Sequence, residues 1–481
     1  MKSQVFGVSL LFHRKTDFMG ENVHSSLRFT GLRNCTPKKE TWKPFQMATS
    51  NATATLTVIL LVTLMLALLV IVQHDEIHTP SLYTVLSKLF WKNATVRPPL
   101  LIVLVVGGWG WVISVCQAAR LEIDHVLGGP VQMPGATYHA ALQLLCLLLA
   151  AHLLHFWASE TPGVTWRPWL VSNCALNVAF FLIGALPCNL FYGDSRLSLL
   201  RALFESLIAP FAPVTFWHVI VADYLTSLAK AMSDLQITVC ISSGIFLGDA
   251  DGEGSYARTT TLWHQSYKSC ADSPVNGIFM ALPFWWRLMQ CLRVYSETRE
   301  VKNLWNALKY STAFPLVYAG YLKKHEPSAF HEQLFILCAV VQSTYCLIWD
   351  VHMDWGLFRR ANLGGRYPDE TGSAYCGGPA AVCAMREPLL VTRSKSVYIL
   401  LCVFDLVLRF AWALSVFGGV PGRGLGMLFF EVIEILRRHV WAVFRIEWEV
   451  VAKVIYPAGN YANLAIASDD GEEDEEDDVE D

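Results

Sequence analysis

An all-α, polytopic transmembrane helical bundle of about ten crossings is the fold class that three observations predict. The 481-residue chain is 53% hydrophobic, and only 16% of it is charged, where soluble domains carry about 25%. Its apolar residues gather in runs of about 20, the length that crosses a hydrocarbon core of roughly 30 Å. Tryptophan, present in 17 copies, suits the membrane–water interface, where an amphipathic ring is favoured.

Residues 1–50 hold eight Lys and Arg against three acids. No secretory signal precedes the first apolar run, so this segment reads as a basic cytosolic extension without fixed structure. Ala52–Gln73 is the first crossing, and Leu100–Gln117, Ala140–Ala158 and Trp169–Cys188 follow it almost free of charge. These make residues 51–200 a scaffold of lipid-facing helices.

The later runs differ. Phe211–Cys240, Ile278–Leu292, Trp305–Leu322, Leu334–Trp349, Val397–Phe417 and Met427–Val451 all contain or adjoin ionisable residues. Leu197–Ala209, ahead of Pro210 and Pro213, reads as half a helix or an interfacial one. Residues 201–456 therefore form a second, functional part. The last stretch, Ser468–Asp481, has eleven acids and no base, and residues 457–481 read as a solvated, disordered tail. Without that stretch, 37 bases face 30 acids, so the net charge of −4 hides a mildly basic body.

Positive charge near helix ends sets orientation. Three bases in Asp75–Pro98 against eight in residues 1–50 put the N-terminus in the cytosol and the first loop across the membrane. Asn93-Ala94-Thr95 in that loop is then a glycosylation triplet. An even number of crossings returns the acidic tail to the cytosol. Cys240 and Cys270 bracket a polar loop and can pair if that loop is lumenal or extracellular.

Ionisable residues inside a membrane are expensive and by default line a pathway or pair with each other. Asp223, Ser227, Lys230 and Asp234 are spaced by four, three and four, which puts them on one stripe of one helix. Asp350 and Asp354 are also four apart. They repel unless a cation or a proton lies between them, and a helix end at the aqueous boundary is the other reading. The bases are Lys309, Arg409, Arg437 and Arg438; local pairing is open to Arg409 with Asp405, and to Arg437 and Arg438 with Glu434. Four cations in one bundle, helped by Tyr310 and Trp edges, suit a tetrahedral oxyanion, which Arg meets with a planar fork and Lys with a point charge. No Walker loop, GxSxG, HExxH or EF-hand pattern occurs. The reading is a non-enzyme with no cofactor and no metal. Asp350 with His352 makes a poor acid–base pair, because residues two apart on a helix face different sides.

At these residues the chain resembles the EXS-domain family, which includes a phosphate exporter and yeast proteins that retain Golgi and endoplasmic-reticulum residents. The matching blocks are Ala222–Leu228 with Asp234-Leu235, Trp286–Arg293, Asn306–Thr312, Leu347–Leu357, Leu408–Trp412 and Glu434–Arg438, running on through Trp441 to Phe444–Glu447. They are collinear over roughly residues 210–455. The resemblance implies an EXS-type transport core and a phosphate pathway lined by Asp223, Ser227, Lys309, Tyr310, Asp350, Asp354, Arg409, Trp412, Glu434, Arg437 and Arg438. In it the four bases bind phosphate oxygens, the aspartates hold the bases or accept a proton, and Trp412 gates. Thr226 and Ala229 depart from the exporter's pattern, which alters some polar contacts to the ion. The SPX sensor domain of that exporter does not fit in the fifty residues before the first crossing.

The resemblance thus implies facilitative transport of inorganic phosphate, as export or as recycling from the Golgi lumen to the cytosol. A sorting or retention scaffold without transport is the alternative. The partners expected are inorganic phosphate and the lipid bilayer, with a homodimer left open and no nucleic acid. The location expected is a Golgi or other internal membrane, with the plasma membrane as the alternative.

Overall fold

The computed structural model describes residues 96–128, 134–160, 193–247, 267–358, 385–386, 388–417 and 425–455. The expected crossings Ala52–Gln73 and Trp169–Cys188, the basic segment 1–50, the Asn93 triplet and the acidic tail lie outside them. Every regular element among the described residues is helical.

Proline and small polar residues set where these helices begin. Helix α1, Arg97–Ala118, has Pro98 and Pro99 in its first turn, where a missing N–H costs nothing. The short α2, Ile123–Leu127, and α3, Pro134–Glu160, follow, and α3 packs along α1. Helix α4, Gly193–Leu207, covers most of the stretch Leu197–Ala209 expected as half a helix or an interfacial one.

Three of the charge-bearing runs are then interrupted, and a fourth ends in a π turn. Phe211–Cys240, expected as one crossing, is two helices: α5, Phe216–Ser227, and α6, Ala229–Leu247. Thr215 starts α5 with a capping box to His218. Near its end the Thr226 hydroxyl donates to the Asp223 carbonyl at 2.8 Å, a local bond that competes with the helical ladder. The single stripe expected over Asp223, Ser227, Lys230 and Asp234 is therefore split, with two residues on each side of Leu228. After α7, Pro274–Thr298, the run Trp305–Leu322 divides likewise into α8, Lys302–Ser311, and α9, Ala313–His325. Here the Thr312 hydroxyl donates to the Lys309 carbonyl at 2.6 Å. Helix α10, Ala329–Trp349, continues as a π-helical turn, Asp350–Asp354. Helix α11, Lys395–Arg409, is separated from the single turn α12, Ala413–Val416, by Phe410–Trp412. Helix α13, Leu425–Val450, runs unbroken through its charge-bearing stretch. Broken helices at membrane depth are tolerated where protein or a cavity, not lipid, surrounds the break.

By length and hydropathy, Arg97–Ala118 and Ala329–Asp354 are the two described helices able to cross a membrane alone, and Pro134–Ala150 is a shorter apolar one. Large apolar side chains remain exposed on the outer helices, among them Ile399, Leu400 and Val407 of α11 and Leu337 and Val341 of α10, as lipid-facing surfaces require.

The main apolar core fastens α13 to α1, α2 and α5. It joins Val112, Ile113 and Cys116 to Phe216, Ile220 and Tyr224, and to Trp441, Ala442 and Ile446. Helix α1 comes so near α13 that a Cβ at Gly108 would stand 1.9 Å from His439 Nε2. That histidine bridges three elements, with Nδ1 2.7 Å from the Tyr224 hydroxyl and Nε2 3.2 Å from the Leu104 carbonyl. Cys240 and Cys270 form the disulfide that the polar loop suggested, with Cα atoms 5.9 Å apart.

After the π turn, Gly356 adopts φ +58°, and a Cβ there would meet the Trp448 ring at 2.6 Å. Gly356→Ala is expected to cost about 1–3 kcal/mol, from strain and overpacking together. It will lower the melting temperature of the detergent-purified protein by several degrees. Gly135→Ala, where nothing lies within 4 Å, will leave it unchanged.

Candidate functional site

The interruptions bring the charged residues into one buried network on the inner stripe of α13. Glu434, Arg437, Arg438, Trp441 and Arg445 recur on that helix at spacings of three, one, three and four, so they share a face.

Arg437 is the hub. It donates to Glu434 at 2.7 and 2.8 Å and to Asp405 of α11 at 3.0 Å, and it lies 3.5 Å from Asp350. Arg409 closes the ring by bonding both Asp350 and, at 3.1 Å, Asp405. The two local pairings the sequence left open, Arg409 with Asp405 and Arg437 with Glu434, are thus both formed. Asp350 is 1% exposed, so it is not at an aqueous boundary. His352, two residues on, is exposed and faces away from it.

A second limb lies on α5, α7 and α8. Asp223 accepts from Arg287 at 2.9 Å and from the Tyr310 hydroxyl at 2.6 Å. Arg287 also donates to Gln290 at 2.7 Å, and its guanidinium sits 4.8 Å from the Tyr310 ring centre. Asp354, at the far end of the π turn, accepts from Trp441 at 3.2 Å and lies 3.7 Å from Arg445. Asp350 and Asp354 therefore meet different guanidiniums of α13, Arg437 for the first and Arg445, two turns on, for the second.

Two cations differ from the rest. Lys309 is 5% exposed. Its ammonium stands over the rings of Tyr310 and Trp349, at 4.4 and 5.2 Å from their centres. Among the described residues no carboxylate lies within 4.0 Å of it, and no hydrogen bond reaches it. Arg438 donates to the Ser227 hydroxyl at 2.8 Å and to Thr226 at 3.4 Å, and lies over Trp441 at 4.5 Å. It too has no carboxylate within 4.0 Å among the described residues. Both act electrostatically on Asp223 and Asp350, so they border the same space.

The structure thus brings together Asp223, Ser227, Lys309, Tyr310, Asp350, Asp354, Arg409, Glu434, Arg437 and Arg438. Ser227 joins through Glu434, to which it donates at 2.7 Å. Trp412 stands beside them: its indole N–H donates to Ser343 at 3.1 Å, and the Ser343 hydroxyl bonds the Arg409 carbonyl. Arg287 and Asp405 belong to the network as fully as any, and a signal for both is present in the residues themselves. Each is an ionisable residue inside an apolar run. Thr226, one of the two departures from the exporter's pattern, contacts Arg438.

Among the described residues no group of His, Cys, Asp and Glu could hold a metal ion.

The chain was compared with known proteins. The model of the EXS family matches residues 93–451. A xenotropic and polytropic retrovirus receptor 1 homolog of Danio rerio is 33% identical over 299 residues, covering 59% of this chain and 39% of that protein. Solute carrier family 53 member 1 of Mus musculus is 32% identical over 284 residues, covering 56% and 37%. The chain spans less than two-fifths of the length of these relatives.

Removing one partner of a buried ion pair strands the other and costs about 3–5 kcal/mol. Asp350→Ala and Arg409→Ala will each lower thermal stability in detergent. The double variant will lose clearly less than the two losses added, because it leaves no stranded charge of that pair.

Proposed function

The chain belongs to the EXS family, and from that premise we propose that it is a facilitative transporter of inorganic phosphate. The observation that carries this reading is the division of labour among the buried cations. Arg287, Arg409 and Arg437 are each bonded to carboxylates, whereas Lys309 and Arg438 have none within 4.0 Å among the described residues. An anion entering the bundle meets those two positive charges with their carboxylate positions unfilled.

Tetrahedral phosphate suits this pair. Arg438 has its Nε on Ser227, and its remaining donors can face the ion as a planar fork. Lys309 supplies a compact charge with three rotatable donors, held over two aromatic faces that stabilise it between ions. Arg409 and Arg437 are held by Asp350, Asp405 and Glu434, and those carboxylates prevent the ion from binding too tightly. Favourable entry and easy exit are both needed for conduction. Asp354, which has one indole donor and a distant arginine, is placed to take the proton of a hydrogen-phosphate ion. Trp412, packed against Phe335 and Phe410 beside Arg409, serves as the steric gate.

For the compartment we propose a Golgi or related internal membrane, with phosphate moving from lumen to cytosol. The Cys240–Cys270 disulfide supports this, because that end of α6 then faces an oxidising lumen. The plasma membrane satisfies the same condition.

Radiolabelled phosphate flux into sealed liposomes tests the function. The purified chain will give saturable uptake, and Lys309→Met and Arg438→Met will each reduce it by at least about tenfold, the loss of one charge-assisted contact. A retention scaffold would conduct nothing, and wild type without flux in either orientation would overturn the proposal.

A further inference from the structure

A second set of charges is buried where α1, α6 and α13 meet, apart from the network above. Arg97 opens α1, Lys230 and Asp234 stand on α6, and Glu431 stands on α13 one turn before Glu434. Asp234 takes both cations: Arg97 Nε donates to its Oδ2 at 2.7 Å and Lys230 Nζ to its Oδ1 at 3.0 Å. Arg97 Nε is 3.8 Å from Glu431 Oε2, beyond hydrogen-bond reach. Glu431 is 6% exposed, and among the described residues neither of its carboxyl oxygens has a hydrogen-bond partner.

The other polar groups of the junction are engaged elsewhere. Lys230 also donates to Ser233, Ser233 to Asn276, and Asn276 to Gln236. The titratable groups facing Glu431 are therefore Arg97 from α1 and Lys230 and Asp234 from α6. Glu434 on the same helix as Glu431 is held by Arg437 and Ser227.

A buried carboxylate without a donor is among the least favourable states an acidic side chain can adopt, and the neutral acid is far less costly. Yet a counter-ion stands about one ångström outside bonding distance, shared with a neighbouring aspartate. That arrangement has two closed forms. In one, Glu431 holds a proton and Arg97 pairs with Asp234. In the other, Glu431 is ionised and takes Arg97, while Lys230 alone neutralises Asp234.

We propose that Glu431 is a proton-binding site, and that loss of its proton to solvent transfers Arg97 from Asp234 to Glu431. Charge balances in each form. The four groups sum to +1 with the proton bound and to zero without it, and no other ion is required. The exchange moves an ion pair from the α1–α6 contact to the α1–α13 contact, and α13 carries the network described above. The proposal does not depend on the identity of the transported ion.

Infrared difference spectroscopy of the full chain in lipid nanodiscs reads it directly, without transport. At neutral pH wild type will show a protonated-carboxyl carbonyl band that Glu431→Gln lacks. Asp234→Asn, which frees Arg97 for Glu431, will lose the same band. Isotope labelling of glutamate carboxyls in wild type assigns the band to glutamate rather than to aspartate and needs no variant to fold. Wild-type and Glu431→Gln spectra that superimpose in this region, or no labelled protonated band at any pH from about 5 to 9, the range in which a buried glutamate titrates, would overturn the site. A band that persists in Asp234→Asn would overturn the exchange of Arg97.

Discussion

A charge taken out of water into a lipid-embedded bundle has to find a partner, and the architecture follows from that requirement. Arg437 is 2% exposed and reaches Glu434, Asp405 and Asp350 at once. Each of those carboxylates comes from a different place in the chain: the same turn of α13, the middle of α11 and the π turn after α10. Three elements are therefore fixed around one guanidinium, and Arg409 ties two of them together again. The apolar core does the complementary task of pressing α13 against α1, α2 and α5, so that the charged stripe faces inward.

The helix interruptions make this convergence geometrically feasible. An uninterrupted helix would carry Asp223 and Asp234 along one line, but the break at Leu228 sends them to separate clusters. Asp223 meets Arg287 and Tyr310, while Asp234 meets Arg97 and Lys230. The π turn does something similar for Asp350 and Asp354. The wider turn and the bend at Gly356 let one aspartate address Arg437 and the other Trp441, two positions along the same α13 face. Non-helical backbone at membrane depth belongs to protein-lined space, and π segments recur at functional sites. The breaks cluster with the charges for the same reason.

Much of this was readable from the residues. A low charge fraction with long apolar runs gave a helical membrane bundle, and ionisable residues within those runs gave most of the network. The pairings Arg409–Asp405 and Arg437–Glu434 were legible because i,i+4 and i,i+3 spacing brings such side chains together. Phe211–Cys240 and Trp305–Leu322 were read as single crossings, and the reason is instructive. The interruptions at Leu228 and Thr312 occur without Pro or Gly, so composition carries no punctuation there. Arg287 is different: it has no local acid to pair with, and its partner Asp223 is 64 residues away. Long-range partners of this kind are set by packing, which spacing along the chain does not reveal. The uncompensated state of Lys309 and Arg438, and of Glu431 at the other junction, is likewise a property of the assembled bundle.

The account stands or falls on whether Lys309 and Arg438 are the charges left open for an anion. Equilibrium binding of radiolabelled phosphate to the purified chain in detergent, at fixed ionic strength, tests this most directly. The account predicts saturable binding to wild type and at least about a hundredfold weaker binding to the Lys309→Met/Arg438→Met double variant, since two charge-assisted contacts are lost. Unchanged affinity in a well-folded double variant would contradict it and place the ion elsewhere.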